Sequence, residues 1–227
     1  MKTPQLIIFD CDGTLVDTET VGNRVLVEAV AGLGLSIPIE EAIRQFAGRK
    51  MADTLDIIER RLEAPLPKDF LETLRTDMAR AFERELQPME GVPTLLESLR
   101  RAGYPLCVAS NGPIEKMTVS LGVTGLLPYF EGRLFSAYDC DAFKPDPRLF
   151  LYAAERLGVE AKQCVVVEDS IHGVQGGLRA QMRVFGYVPN GRGFDLGAHG
   201  AEVFHHMVEL IPKLCPRVYD DQPWRGL

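Results

Sequence analysis

Leu6-Ile7-Ile8-Phe9-Asp10-Cys11-Asp12-Gly13-Thr14-Leu15-Val16-Asp17 is the stretch on which the fold turns. A short apolar run over residues 5–9, stopped by Asp-Cys-Asp-Gly, reads as a buried strand that ends in a turn. Working outward, similar runs recur at 105–109, 164–167 and 183–187. Amphipathic stretches lie between them at 92–102, 113–121, 147–157 and 172–180. Buried strands alternating with helices predict an α/β fold, a parallel sheet covered by helices on both faces. The polar clusters follow the strand ends, where open sheets of this kind bind their ligands.

Residues 18 to about 87 break the alternation. Phe70, Leu74, Met78 and Phe82 recur every four residues, and Leu71 and Ala81 widen the stripe. Leu55, Ile58 and Leu62 form a second stripe, in a helix expected to end near Ala64 because Pro65 follows. Pro38 is expected to open a further short helix that finishes near Gly48. The expectation is an all-helical insert over 17–87, with hinges near Val16-Asp17 and Gln87-Pro88, in a core made of 1–16 and 88–227. Residues 189–227, rich in Gly and Pro, carry the least signal.

Composition narrows the classes. The 227 residues are 46% hydrophobic and 25% charged, which excludes a disordered or collagenous chain. A net charge of −7 argues against nucleic acid, whose phosphates need a basic face. The five cysteines (Cys11, Cys107, Cys140, Cys164 and Cys215) are odd in number and scattered, which suits a reducing cytoplasm better than a disulfide framework. No apolar run approaches the length of a membrane span. The expected state is a cytoplasmic monomer or weak homo-oligomer, without nucleic-acid or membrane partners.

Four clusters carry chemistry. Asp10 and Asp12 stand two apart beyond a strand end, and Gly13 lets the chain turn sharply. A calcium loop also begins Asp-x-Asp, but it requires Gly where Leu15 stands and Glu where Val21 stands. Ser110-Asn111-Gly112 closes a second strand, where a hydroxyl and successive N–H groups can hold a phosphate oxygen. Lys144 lies in the stiff segment Lys144-Pro145-Asp146-Pro147. Glu168-Asp169-Ser170 follows a third strand. Taken singly, these also read as a polar turn, a loop, a solvated lysine and a helix cap. His205-His206, Gly191-x-Gly193 and Trp224 lack the partners or context of a site.

Together, Asp10, Asp12-Gly13-Thr14, Ser110, Lys144 and Glu168-Asp169 resemble the motif set of the haloacid dehalogenase superfamily of hydrolases. The likeness is to its capped phosphatase branch, including bacterial 6-phosphogluconate phosphatases, and to the related β-phosphoglucomutases. The resemblance implies a Rossmann-like core with an inserted helical cap, and a phosphatase acting on a sugar or sugar-acid phosphate. It implies Asp10 as nucleophile, Asp12 as general acid and base, and Ser110, Asn111 and Lys144 on the phosphoryl oxygens. It also implies Asp10, the Asp12 carbonyl and Asp169 as ligands of Mg2+, with Glu168 close by. Charge argues for such a cation, since each like-charge pair at ~4 Å costs about 4 kcal/mol at an effective dielectric of about 20.

The same likeness assigns substrate choice to the helical insert. Gly48-Arg49-Lys50 stands where relatives carry a specificity loop, and Thr18 and Asn23 are further candidates. The mutases carry a histidine five residues after the Asp of their Val-Asp pair, where this chain has Gly22. That difference favours water over a sugar as phosphoryl acceptor. Gln181 stands where relatives have Gly before Met182. The alternatives are a sugar phosphomutase and, in another class, a receiver-type signalling domain with a phosphorylatable Asp.

Overall fold

A computed structural model describes residues 3–46, 51–189 and 195–215. The chain divides into two compact units, one of residues up to Val16 and from Pro88 onward, the other Asp17–Gln87. The proposed sites Gly48, Arg49 and Lys50, like Gly191, Gly193 and Trp224, lie outside the described residues.

Strand β1 (Leu6–Phe9) is fully buried and opens the first unit. The chain then enters the helical unit, where Asp17 caps α1 (Thr18–Ala31) by accepting the Thr20 N–H at 3.1 Å. Helices α2 (Ile39–Phe46), α3 (Met51–Leu62) and α4 (Phe70–Glu85) follow. Helix α1 packs along α4, and Phe70, Leu74 and Ala81 are the buried part of the α4 stripe.

The first unit resumes with α5 (Val92–Arg101), which buries Val92, Leu95, Leu96 and Leu99 at i, i+3, i+4 and i+7 and leaves Arg100 and Arg101 exposed. Each such side chain contributes about 1.5–3 kcal/mol by leaving water. Then come β2 (Leu106–Ser110), α6 (Ile114–Val123), β3 (Leu134–Ser136), α7 (Ala137–Cys140) and α8 (Arg148–Arg156). The chain continues through β4 (Cys164–Glu168), α9 (Ile171–Arg179), β5 (Arg183–Tyr187), β6 (Glu202–Phe204) and α10 (Leu210–Leu214).

The six strands form one parallel sheet in the order β3-β2-β1-β4-β5-β6. Helices flank the sheet, and α8 lays Leu149, Phe150, Ala153 and Ala154 into its core cluster. The strand order reverses at β1, so the crevice beyond β1 and β4 is the topological switch point where such sheets bind ligands. All five cysteines are free, and Cys11, Cys107, Cys164 and Cys215 are buried. No described helix is long and apolar enough to cross a membrane.

The described residues 195–215 are less irregular than the composition of 189–227 implies, since β6 and α10 lie within them. Strand β3 and the four-residue α7 also escaped the pattern reading, because three or four residues complete no hydrophobic period.

Gln181 takes φ of +61°, the left-handed conformation that favours glycine. Its N–H bonds Leu178 O at 2.9 Å, and Met182 N–H bonds Gly177 O at 3.1 Å, so the turn closes α9 despite the side chain. Removing that Cβ relieves a cost of about 1 kcal/mol. Gln181→Gly is therefore expected to raise stability by about that amount in urea unfolding.

Candidate active site

The turn after β1 is built by its own backbone. Leu15 and Val16 N–H both donate to Cys11 O, at 2.9 and 3.1 Å, and Gly13 N–H donates to Val16 O at 2.9 Å. Gly13 has φ of +78°, and a Cβ there would fall 2.2 Å from Asp169 Oδ2. Only glycine allows this turn to lie against the end of β4. Thr14 Oγ1 donates to Asp169 Oδ1 at 3.1 Å, which ties the two strand ends together.

Lys144 enters this crevice nearly buried, its side chain 3% exposed. Its ammonium bonds Asp10 Oδ1 and, at 2.6 Å, Glu168 Oε1. Its backbone N–H donates to Asn111 Oδ1 at 2.9 Å, so Asn111 positions the lysine segment from the end of β2. Glu168 is completely buried, and its Oε2 accepts from Asp169 N, Ser170 N and Ser170 Oγ at 3.1, 3.0 and 2.9 Å. Ser170 Oγ in turn accepts the Gly173 N–H and caps α9. Glu168 thus holds Lys144 in place while its second oxygen organises the loop after β4.

Electrostatics follow from this burial. Desolvation pushes the Asp10 carboxyl up to about 7, with Lys144 pulling the other way and Glu168 adding to the rise. For Lys144 burial opposes the charge, but Asp10 and Glu168 outweigh it and hold the ammonium above the usual lysine range. Burial, then the Asp12 and Asp10 charges, push the Cys11 thiol well up, so it sits as a neutral thiol between the two acids. One oxygen from each of Asp10, Glu168 and Asp169 lies within 4.8 Å of the others, a carboxylate set that could hold a divalent ion.

Ser110 is buried at the end of β2, its Oγ accepting the Gly112 N–H at 3.0 Å. Ser136 Oγ donates to Gly112 O at 2.8 Å and fastens the same turn. Asp12 pairs through Oδ2 with Lys116 at 2.7 Å, while its Oδ1 is buried and has no hydrogen-bond partner. Direct contacts therefore join Asp10, Asn111, Lys144, Glu168 and Asp169, while Asp12 is held by Lys116 and Ser110 lies on the same turn as Asn111.

Lys116 and Ser136 were not anticipated. A single lysine on an amphipathic helix reads as a solvated one, and a serine opening a four-residue helix has no pattern around it. In the helical unit Thr18 is buried at the start of α1, and Asn23 spends its amide on Glu19, at 2.8 Å to the carbonyl and 3.3 Å to Oε2. His205 and His206 are exposed.

A haloacid dehalogenase-like hydrolase family model matches residues 4–181. The chain belongs to that family. It is 34% identical to the 6-phosphogluconate phosphatase of Escherichia coli (strain K12), over 99% of this chain and 98% of the relative. It is 30% identical to the phosphorylated carbohydrates phosphatase of Thermotoga maritima, over 81% of this chain and 85% of the relative. A crystal structure of a haloacid dehalogenase family hydrolase from Deinococcus radiodurans, with bound phosphate and sodium, superimposes with a TM-score of 0.84. It is 29% identical and covers 95% of this chain and 97% of its own. The protein is an enzyme, a phosphoric monoester hydrolase of this family. The receiver-type alternative ends here.

A Cβ on Gly173 would fall 1.8 Å from the Glu168 carboxyl. Gly173→Ala is expected to displace Glu168 from Lys144 and lower stability by about 3 kcal/mol, the cost of a buried charge losing its partner. In α6, a Cβ on Gly122 meets nothing within 4 Å, so Gly122→Ala is expected to gain about 0.5–1 kcal/mol. Urea denaturation of the two variants reads the contrast.

Proposed function

We propose that the enzyme is a magnesium-dependent phosphatase of small phosphorylated metabolites, sugar or sugar-acid phosphates, acting through a phosphorylated Asp10. The observation that carries this is the pairing of buried Asp10 with Lys144 beside Asp12 and Asp169, all at one switch point.

Asp10 is the nucleophile. Attack on phosphorus forms an Asp10 Oδ–P bond as the ester P–O bond breaks, which divides hydrolysis into two displacements. Asp12 gives its proton to the departing oxygen, then takes one from the water that attacks phosphorus and releases Asp10. Ser110 offers its hydroxyl hydrogen, and Asn111 and Lys144 frame the same pocket. Lys144 is held to Asp10 beforehand, so no reorganisation is needed as charge shifts onto the phosphoryl oxygens.

The residues fit a hard divalent cation. With all ionised, Asp10, Asp12, Glu168 and Asp169 set four negative charges against the two of Lys116 and Lys144. The residue of two charges, before any phosphate arrives, matches one divalent ion. The donors are oxygens, which suits magnesium. Asp10, Asp169 and the Asp12 carbonyl would hold it, and Glu168, already accepting four hydrogen bonds, would stand beside them. When bound it supplies charge neutralisation and polarisation of a phosphoryl oxygen.

Sugar-phosphate specificity is supported by the Escherichia coli and Thermotoga relatives, which are named for 6-phosphogluconate and for phosphorylated carbohydrates. Hydrolysis is favoured over mutase chemistry by Gly22. It is buried in α1, where a Cβ would meet Phe82 and Met78 of α4 at 3.8 and 3.9 Å, so a helix contact stands in place of an acid–base side chain. We assign choice among substrates to the helical unit, and on sequence grounds to Gly48-Arg49-Lys50.

Phosphate release across a metabolite panel tests the reading. Activity is expected to vanish with a chelator and return with Mg2+, and Asp10→Asn is expected to abolish turnover while leaving the folded protein intact. Full activity of Asp10→Asn, or hexose 1-phosphate isomerisation without phosphate release, overturns it. Arg49→Ala and Lys50→Ala are expected to lower kcat/KM for 6-phosphogluconate more than for neutral hexose phosphates; equal losses remove the charge-recognition role.

A further inference from the structure

Lys116 has no place in the motif set, yet its ammonium is 2.7 Å from Asp12 Oδ2. It stands in the first turn of α6, and that helix begins where the Ser110-Asn111-Gly112 turn ends. Ser136 Oγ pins this turn through Gly112 O, and Asn111 Oδ1 binds the Lys144 N–H. The start of α6 is therefore set by the same contacts that set Ser110 and Lys144. Both partners are partly shielded, the Lys116 side chain 39% and the Asp12 side chain 29% exposed.

The two oxygens of Asp12 stand in different surroundings. Oδ2 faces the ammonium, and Oδ1 is buried without a hydrogen-bond partner. A lysine ammonium has only donors, so the oxygen it meets must act as an acceptor. That holds whether the carboxyl is ionised or protonated, because the carbonyl oxygen of a carboxylic acid also accepts. The contact therefore holds Oδ2 in one place through both protonation states of the carboxyl.

We propose that Lys116 is a positioning residue for the phosphoryl transfer, fixing the orientation of the Asp12 carboxyl from which the proton is delivered. This rests on the assignment of Asp12 as general acid and base. In the first displacement the ester oxygen leaves with the electron pair of its bond to phosphorus and receives the Asp12 proton, as Asp10 forms its bond to phosphorus. In the second, water attacks phosphorus, the Asp12 carboxylate takes the water proton, and Asp10 departs as a carboxylate. Without Lys116 the carboxyl loses this contact and is free to turn its proton away from the leaving group. General acid catalysis depends on hydrogen-bond reach to the departing atom, so orientation sets its size.

The test exploits leaving groups that differ in their need for a proton. A sugar phosphate releases an alkoxide and needs the acid, whereas p-nitrophenyl phosphate releases a phenolate and scarcely does. Values of kcat/KM are compared, because they report the first transfer whichever later step limits turnover. Lys116→Met is expected to lower kcat/KM for sugar phosphates by about 10²-fold, the lower range of general acid contributions. The loss is expected to be equal for neutral and anionic sugars, and less than about threefold for p-nitrophenyl phosphate. Lys116→Arg, which keeps a donor-only cation, is expected to restore most of the difference.

Equal losses on alkyl and aryl substrates overturn the proposal in favour of a structural or phosphate-binding role. A loss confined to anionic sugars overturns it in favour of substrate recognition. Lys116→Leu, likewise without a donor, gives the same comparison if the Met variant unfolds. Asp12→Asn separates the two assignments: retained sugar-phosphate activity in that variant defeats the general-acid reading itself. A strong selective loss there, with none at Lys116, defeats only the role of the lysine.

Discussion

A buried ammonium without partners is among the most costly groups a protein can hold, and Lys144 is compatible with folding only because two carboxylates meet it. Asp10 arrives from the end of β1 and Glu168 from the end of β4, so the lysine spans two neighbouring strands. Each of the three is intelligible only with the others present. Glu168, with no exposed surface, needs the cation and its three further donors; Asp10 needs the cation against the repulsion of Glu168. The chain of bonds runs on through Ser170 into the first turn of α9 and through Asn111 to the end of β2. Four elements are thereby locked around one charge, and the Asp10 carboxylate is held in one orientation.

The topology explains why these groups can meet at all. In a parallel sheet every strand ends on the same edge, so Asp10, Ser110 and Glu168 emerge side by side although about a hundred residues separate the first two. Reversal of strand order at β1 sends the flanking connections to opposite sides and opens a crevice there. Gly13 then lets the turn after β1 lie against Asp169, bringing a further carboxylate into the same crevice. Close packing of like charges costs stability. The apolar strands beneath, all buried, supply the rigidity that keeps the cluster together.

Long periodic elements were legible from the chain alone. The buried runs of β1, β2, β4 and β5 and the apolar stripes of α4, α5 and α8 repeat often enough to outweigh local noise. The short elements were not, and β3 is the instructive case. Its three residues owe their strand to pairing with β2, which lies more than twenty residues earlier, and no local preference announces that. Gln181 shows the converse. Its backbone adopts the glycine conformation because α9 and β5 on either side dictate the turn, and the side chain bears the cost. Within the site, the acids and Lys144 stood out through their motifs, whereas Asn111 as a clamp on the Lys144 segment and Lys116 as a partner of Asp12 emerged only from distances.

By itself the sequence determined the α/β class, the strands that end in chemistry, and the residue types able to transfer a phosphoryl group. These follow from side-chain volume, polarity and spacing, which act locally and survive in a linear reading. The tertiary structure alone decided which charge faces which. It set Lys144 between Asp10 and Glu168 instead of in water, closed Glu168 within the start of α9, and turned one oxygen of Asp12 to Lys116 and the other away. Such pairings depend on the register of strands distant in sequence and on the rotamers that burial permits. A carboxylate's partner is a property of the folded neighbourhood, and no segment of the chain carries that neighbourhood alone.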